Sequence, residues 1–455
     1  MINEFEKWLT EQSITEVECL VPDLGGIARG KILPTKKFIR GLRDDSHRLP
    51  QSTFIQTISG DYAWEDSLGP LPTSIYNPTD VDVILKPDFK TLRLVPWYDD
   101  PTAQVICDAV NLNGSNVINS SRNLLKKILN LFYKEGLSPI ISPELEFYLV
   151  KPNPDSDYPL EVPIGQSGRK ETGKQALGID AVNEFDHLFE DVYNYCEAQN
   201  IEIDTINHET GSAQMEINFQ HGNPLDLADQ VFLFKRTLRQ TAIKHKLYAT
   251  FMARPMENQP GSSMHIHQSL INTKGKNIFF NKKTNLSKTM NNYIGGLQTY
   301  TPKFMPIYAP NINSFRRLFA TWGAPRNIKW GVGNRSCAFR IPAIEEKNMR
   351  VENRVAGSDT NPYLVMAANL ASGYLGIKNK IKASKETKKS AFDDKEVALP
   401  KNMEESLFLF ENDEDINYIF DEKFIRTISA IRRVEYQAYL SVVSSWEREY
   451  LLLNV

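Results

Sequence analysis

The sequence predicts an α+β protein: a curved antiparallel sheet flanked by helices, preceded by a smaller α+β unit. Three observations point there. Runs with strand period alternate with runs of helical period, without a strict βαβ repeat. Four of the strand-like runs are Pro-Glu144-Leu-Glu146-Phe-Tyr-Leu, Gln214-Met-Glu216-Ile-Asn218-Phe, Met-His265-Ile-His267-Gln-Ser269-Leu and Arg350-Val-Glu352-Asn-Arg354-Val; each carries chemically capable polar groups on one face and core residues on the other. Finally, 455 residues with 41% hydrophobic and 24% charged content are ordinary for a globular chain with room for two or three domains.

Taken in order, residues 1–12 read as a short helix. Val17 to Lys31 reads as a hairpin turning at Asp23 to Gly26, and Thr91–Pro96 and Ala103–Asp108 as later strands. These form an N-terminal domain over 1–110, and 111–455 forms the larger domain. Ser120 or Ser121 caps a helix with apolar positions Leu124, Leu125, Ile128, Leu131 and Phe132, and Gly136 ends it. Residues 151–176, dense in Pro, Gly, Lys and Asp, read as a long exposed loop. Further helices are expected near 180–199, 225–246, 361–378 and 422–450, and the charged stretch 378–404 as a solvated linker or surface loop.

Composition excludes several functions. A net charge of -3 and no basic stripe argue against nucleic acid as a partner. No run of about 18 apolar residues predicts a membrane span. Cys19, Cys107, Cys196 and Cys337 are scattered, with no CxxC, which fits a reducing compartment. The acidic, amphipathic N-terminus lacks the pattern of a signal peptide, so a cytoplasmic location is expected.

Strand side chains alternate between faces. Glu144 therefore shares a face with Glu146, His265 with His267 and Ser269, and Arg350 with Glu352 and Arg354. Glu209 stands before the small-residue turn that leads to Glu216. Buried carboxylates need cations or strong donors. Several carboxylates and an imidazole on one surface suggest bound divalent metal. The plainer readings are edge-strand carboxylates, a solvated hairpin and a structural histidine, and only one of the two histidines need bind metal. His265 and His267 follow Pro260-Gly261-Ser262-Ser263, whose small residues permit close backbone approach to a ligand. Arg335, Arg340, Lys347, Arg350 and Arg354 form a dense cationic series, either salt-bridge partners or groups aimed at phosphate and carboxylate. No Walker A motif, GxGxxG or kinase signature occurs, so ATP, if bound, is held by side chains on a sheet.

These residues resemble the glutamine synthetase superfamily over nearly the full length. The motifs are Pro-Glu144-Leu-Glu146-Phe, His208-Glu209 with Gln-Met-Glu216, Gly-Ser-Ser-Met-His265-Ile-His267-Gln-Ser-Leu, Phe-Arg316-Arg317-Leu, Asn-Arg335-Ser-Cys-Ala-Phe-Arg340-Ile-Pro, and Arg350-Val-Glu352-Asn-Arg354 ending in Asn361-Pro-Tyr-Leu. Asp23-Leu-Gly-Gly-Ile-Ala-Arg29-Gly30-Lys31 looks like the family's β-grasp domain. The resemblance implies two Mg2+ or Mn2+ ions per site: one held by Glu146, Glu209 and Glu216, the other by Glu144, His265 and Glu352. It implies glutamate on Arg317, Arg354 and the Gly261 backbone. Arg335 and Arg340 face the transferring phosphoryl group, Arg340 also reaching the nucleotide, and Ser269, Lys347 and Arg350 contact ATP. ATP is the co-substrate; glutamate's γ-carboxylate is phosphorylated and a nitrogen nucleophile then displaces phosphate.

Two departures bear on the nucleophile. The family's glutamate before Ala-Pro, which helps form the ammonium site, is Gly323 here, beside Trp322; the asparagine expected before Gly261 is Pro260. Pro260-Gly-Ser-Ser-Met-His-Ile-His-Gln, Val-Glu352-Asn-Arg and Ser-Trp446-Glu-Arg-Glu-Tyr-Leu look most like the γ-glutamylpolyamine (γ-glutamylputrescine) synthetase branch. The expected reaction joins glutamate to putrescine or another polyamine, ethanolamine or a small monoamine. Ordinary glutamine synthetase is the alternative, and a non-catalytic structural or regulatory family member is the rival of another class. The family further implies a homo-oligomer of stacked rings, commonly a dodecamer, with Asp61 as a cross-subunit residue near the amine.

Overall fold

The computed structural model describes residues 2–320, 323–393 and 398–455. Its centre is an eight-stranded sheet in the spatial order Ile203–His208, Gln214–Phe219, Leu137–Val150, Met264–Asn272, Val351–Asn353, Phe339–Ile341 and Trp330–Val332, with Tyr248–Thr250 pairing alongside Leu137–Val150. Every pairing is antiparallel except 330–332 with 339–341, which is parallel. The inward alternate residues Leu145, Phe147, Met215, Ile217, Met264, Ile266 and Val351 are fully buried, and helices cover that face. The period-two pattern thus sorts core from site along each strand.

Helix Pro362–Lys378 is buried along nearly its whole length. It packs on helix Lys288–Tyr300 through glycines: a Cβ on Gly296 would stand 2.1 Å from the Ser372 carbonyl oxygen, and one on Gly376 2.3 Å from the Asn292 carbonyl oxygen. Only glycine permits backbones this close. Helix Ser121–Lys134, capped by Ser120, carries Arg122, which is 1% exposed. Arg122 bonds Asp88, Asp108 and both oxygens of Asp229, so one guanidinium ties the N-terminal strands to helix Pro224–Lys244.

A second sheet is built from Glu16–Pro22, Ala28–Pro34, Arg48–Pro50, Asp82–Pro87, Arg93–Leu94 and Thr102–Asn111. Its apolar cluster, with Phe5, Phe38, Phe54 and Val105, also buries the first helix, Ile2–Glu11. The hairpin turns at Asp23, whose carboxylate accepts from the Ile27 amide and from Arg29.

Several expectations are refined. Of Thr91–Pro96 only Arg93–Leu94 is strand, because Phe89–Thr91 forms a 3-10 turn capped by Asp88. The 180–199 and 422–450 regions each split in two, at Ile179–Asn183 with Asp186–Ala198 and at Glu422–Leu440 with Ser445–Leu451. The described part of 378–404 is largely irregular chain, the surface loop of the two expectations and not a free linker, because it is anchored to the strands beside it. The Asn334 amide group donates to the Thr387 and Lys389 carbonyls, and Ala391 and Leu399 are buried. Among the described residues no helix is long and apolar enough to cross a membrane.

Candidate active site

Strand register assembles the site. Glu216 lies opposite Glu146, Glu144 opposite His265, and Glu352 opposite both His267 and Arg340. A slip of one residue would send these side chains to the core face. Glu146, Glu209 and Glu216 each offer an oxygen such that all three lie within 4.8 Å of one another; Glu144, Glu216 and His265 do the same, as do Glu144, His267 and Glu352. The trio Glu144, His265 and Glu352 is looser: His265 Nδ1 is 3.3 Å from Glu144 and 3.8 Å from Glu352, and Glu216 completes the tighter group.

The histidines differ in kind. Arg350 Nε donates to His267 Nδ1 at 3.2 Å, so the His267 proton sits on Nε2 and is given to Glu144 at 2.8 Å. Both His267 nitrogens are thus occupied. His265 has Arg354 close by, and its ring is held neutral by burial and that cation.

Two cavities flank this cluster. One, about 430 Å³, is lined by Ser142, Glu144, Asn218, His267, Ser269, Lys347 and Arg350. The other, about 300 Å³, has Glu146, Glu209, Gly261, Arg317, Arg335 and Arg354 on its wall, with Pro260, Gly323, Ala324 and Phe392. Helix Ile312–Ala320 presents Arg317 inward and Arg316 outward, one residue being about 100° around a helix. Arg317 is buried and donates to Ser263 Oγ and to the Val355 and Arg354 carbonyls. Gly261 is required beside it, since a Cβ there would meet Arg317 Cγ at 2.5 Å and the Ala253 carbonyl oxygen at 2.7 Å.

The electrostatics are those of an acid cluster short of positive charge. Burial, then the Glu209 charge, pushes the Glu146 carboxyl up to about 8; burial, then Glu144, Glu146 and Glu209, pushes Glu216 up to about 9. Burial also raises Glu209. Burial would raise Glu352 as well, but the Arg354 guanidinium at 2.5 Å holds it down at about 2. Glu144 is likewise held low against burial by His265 and His267. Burial lowers Arg317 to about 10. A divalent cation would relieve the repulsion that raises Glu146 and Glu216. The donors, mostly carboxylate oxygen with one imidazole, suit Mg2+ or Mn2+.

Of the other expected residues, Arg340 donates to Glu352 at 2.8 Å and lines neither cavity. Asp61 is exposed, accepts from Ser59 Oγ at 2.8 Å and is part of neither cavity. Trp322 lies outside the described residues. Sequence reasoning missed Phe392, which sits in a charged stretch with no periodicity. It also missed Glu171, in the 151–176 loop. One Glu171 oxygen accepts from His208 Nε2 at 3.2 Å and from the Ala213 amide at 2.6 Å, bracing both ends of the turn that carries Glu209. Only a remote contact made either visible.

The family model for the glutamine synthetase catalytic domain matches residues 119–451. The chain is 31% identical over 459 residues to gamma-glutamylputrescine synthetase PuuA of Escherichia coli (strain K12), spanning 99% of this chain and 94% of that one. It is 30% identical over 457 residues to glutamate--isopropylamine ligase of Pseudomonas sp, spanning 97% and 95%. Glutamine synthetase of Methanocaldococcus jannaschii is 29% identical over 445 residues, spanning 94% and 93%. Two solved structures of GmaS, one without ligand and one with ADP, share the fold with TM-scores of 0.82 and 0.84 at 23% identity, each covering 98% of this chain and 98% and 99% of theirs. Fold and site define an ATP-dependent ligase that forms carbon–nitrogen bonds. The chain belongs to the glutamine synthetase family, whose members use ATP and divalent metal ions.

Proposed function

We propose that this enzyme joins the γ-carboxylate of glutamate to the nitrogen of an organic amine through γ-glutamyl phosphate. The observation that carries the reading is the pair of cavities on either side of one acidic cluster, with glycine at position 323 instead of a carboxylate. Lys347, Arg350 and Ser269 hold ATP in the larger cavity. Arg317, Arg354 and the Gly261 backbone hold glutamate in the smaller one. Glu146, Glu209 and Glu216 would hold one divalent ion, and Glu144, His265 and Glu352 the second, while the Arg350 donor occupies His267 Nδ1. Bound there, divalent ions would supply positive charge to neutralise phosphate oxygens.

A glutamate γ-oxygen bonds to the γ-phosphorus and the bond to ADP breaks. Arg335 and Arg340 counter the charge on the transferring phosphoryl group. The amine, its nitrogen freed by loss of a proton to solvent, then bonds to the acyl carbon; phosphate departs with that glutamate oxygen, and a second nitrogen proton is released as the amide forms. The site's part is positioning and charge stabilisation, with water kept from the acyl phosphate.

The Escherichia coli relative is named for putrescine and the Pseudomonas relative for isopropylamine, which supports a polyamine or a small monoamine as the nucleophile; ethanolamine is the further amine we propose to test. We propose a division near residue 110 into a β-grasp domain and a catalytic domain. We further propose a homo-oligomer of stacked rings, a dodecamer, in which the neighbouring subunit's N-terminal part approaches the amine; exposed Asp61 is the residue we nominate there. The test is ADP release with glutamate, Mg2+ and a panel of amines. Turnover that requires both glutamate and an organic amine supports the reading. Turnover with ammonia alone returns the enzyme to ordinary glutamine synthesis, and no glutamate-dependent turnover under any condition favours a non-catalytic role.

A further inference from the structure

The stretch after residue 380 is stitched to the strand-and-turn unit that carries Arg335. The Thr387 amide donates to the Trp330 carbonyl at 2.9 Å, and Trp330 Nε1 donates to the Ser384 carbonyl at 2.9 Å. Asn334 Nδ2 donates to the Thr387 and Lys389 carbonyls, each at 2.9 Å, and the Ala391 amide donates to Ser336 Oγ at 2.7 Å. Asn334 and Ser336 are the two sequence neighbours of Arg335. The hydrogen bonds that fix Phe392 therefore also fix Arg335, and both residues reach the wall of the glutamate-side cavity.

The rest of that wall is strongly polar: Glu146, Glu209, Gln214, His265 and the arginines. Among the described residues, its apolar side chains are Pro260, Ala324 and the half-buried Phe392. At Gly323, in the same wall, a Cβ would meet nothing within 4 Å among the described residues, so space stands open there on their side, although φ of +102° favours glycine. Open volume beside an aromatic ring and a proline is a poor place for ammonium, which needs acceptors. It suits a carbon substituent, which gains by leaving water.

We propose that Phe392 is a specificity-determining residue for the nucleophile, supplying with Pro260 and Ala324 the apolar wall that selects alkyl-substituted amines over ammonia. This rests on the reading of the protein as a glutamate–amine ligase. Phe392 acts on the alkyl group, not on the phosphoryl transfer. Its truncation therefore changes the choice between nucleophiles.

The experiment measures kcat/KM for isopropylamine, putrescine and ammonia with the full-length enzyme, for the parent, Phe392→Ala and Phe392→Leu. The quantity read is the ratio of each amine to ammonia within one preparation, from which the active fraction cancels. Apolar contacts of one or two carbons discriminate by about tenfold or more. Phe392→Ala should lower the isopropylamine-to-ammonia ratio by about tenfold, and Phe392→Leu by less. Phe392→Leu keeps the apolar bulk and provides the ratio should the alanine variant fail to fold. Ratios unchanged within twofold in a parent that uses organic amines overturn the role of Phe392 alone. A parent that uses ammonia and no organic amine overturns the amine-ligase reading itself, and the proposal with it.

Discussion

Replacing Glu216 by glutamine should make the metal-free protein more stable at alkaline pH and less responsive to metal. Glu216 moves from an ordinary 4.5 to about 9 on burial among Glu144, Glu146 and Glu209. The unfolded chain releases that proton near 4.5, whereas the folded metal-free protein keeps it until about 9. The native state thus binds more protons than the unfolded state across that interval, and stability falls as pH rises. At about 1.4 kcal/mol per pH unit, the loss from Glu216 between pH 5 and 8.5 reaches about 5 kcal/mol. Glu146 titrates with it, so this is a scale for the cluster and not an amount to be doubled. At about 1 °C per kcal/mol for a chain of this size, the melting temperature moves by up to about 5 °C.

The assay is thermal unfolding in a chelator, from pH 5 to 8.5, of the parent and Glu216→Gln, repeated with millimolar Mg2+ or Mn2+. The parent should lose stability with pH in chelator and regain it with metal, by about 2.7 kcal/mol at a hundredfold excess over Kd. The variant should show a flatter pH dependence and a smaller metal response. A parent–variant difference that does not change with pH, or a variant stabilised by metal as much as the parent, would refute the reasoning.

Three further outcomes follow from single contacts. Gly261→Ala forces a Cβ against Arg317 and the immovable Ala253 carbonyl; steady-state kinetics should give a glutamate KM raised by about tenfold or more, roughly 1.4 kcal/mol. Arg350→Ala removes the donor to His267 and a cation from the larger cavity; the ATP KM should rise about tenfold to a hundredfold, the weight of one or two charge-assisted hydrogen bonds. Glu171→Ala frees His208 and the Ala213 amide at the two ends of the Glu209 turn; Mn2+ affinity by calorimetry should fall about tenfold to a hundredfold, as when a ligand's support is lost.

The strands that bear the site were legible because period two is a strong constraint. Glu144 with Glu146, and His265 with His267, face the same way whatever their neighbours do, and pairing register then aligns them. The helix Lys288–Tyr300 was not legible. Glycine is a poor helix former, yet Gly296 is what lets this helix sit against Pro362–Lys378, and Gly295 lets it pass the Ile381 carbonyl just beyond. The distinction between His265 and His267 was hidden as well, since it depends on the Arg350 donor 83 positions away. Phe392 and Glu171 lie in stretches whose composition says loop. Their importance comes from Asn334, Ser336, His208 and Ala213, contacts that no local pattern encodes.

The account centres on a γ-glutamyl phosphate made and consumed in one site, and oxygen labelling tests it most directly. Glutamate carrying 18O in its γ-carboxylate is turned over with ATP and the preferred amine, and the released phosphate is analysed by mass spectrometry. The account predicts one 18O in each phosphate formed, because the oxygen that attacks phosphorus leaves with it. Unlabelled phosphate alongside a γ-glutamyl amide would contradict it.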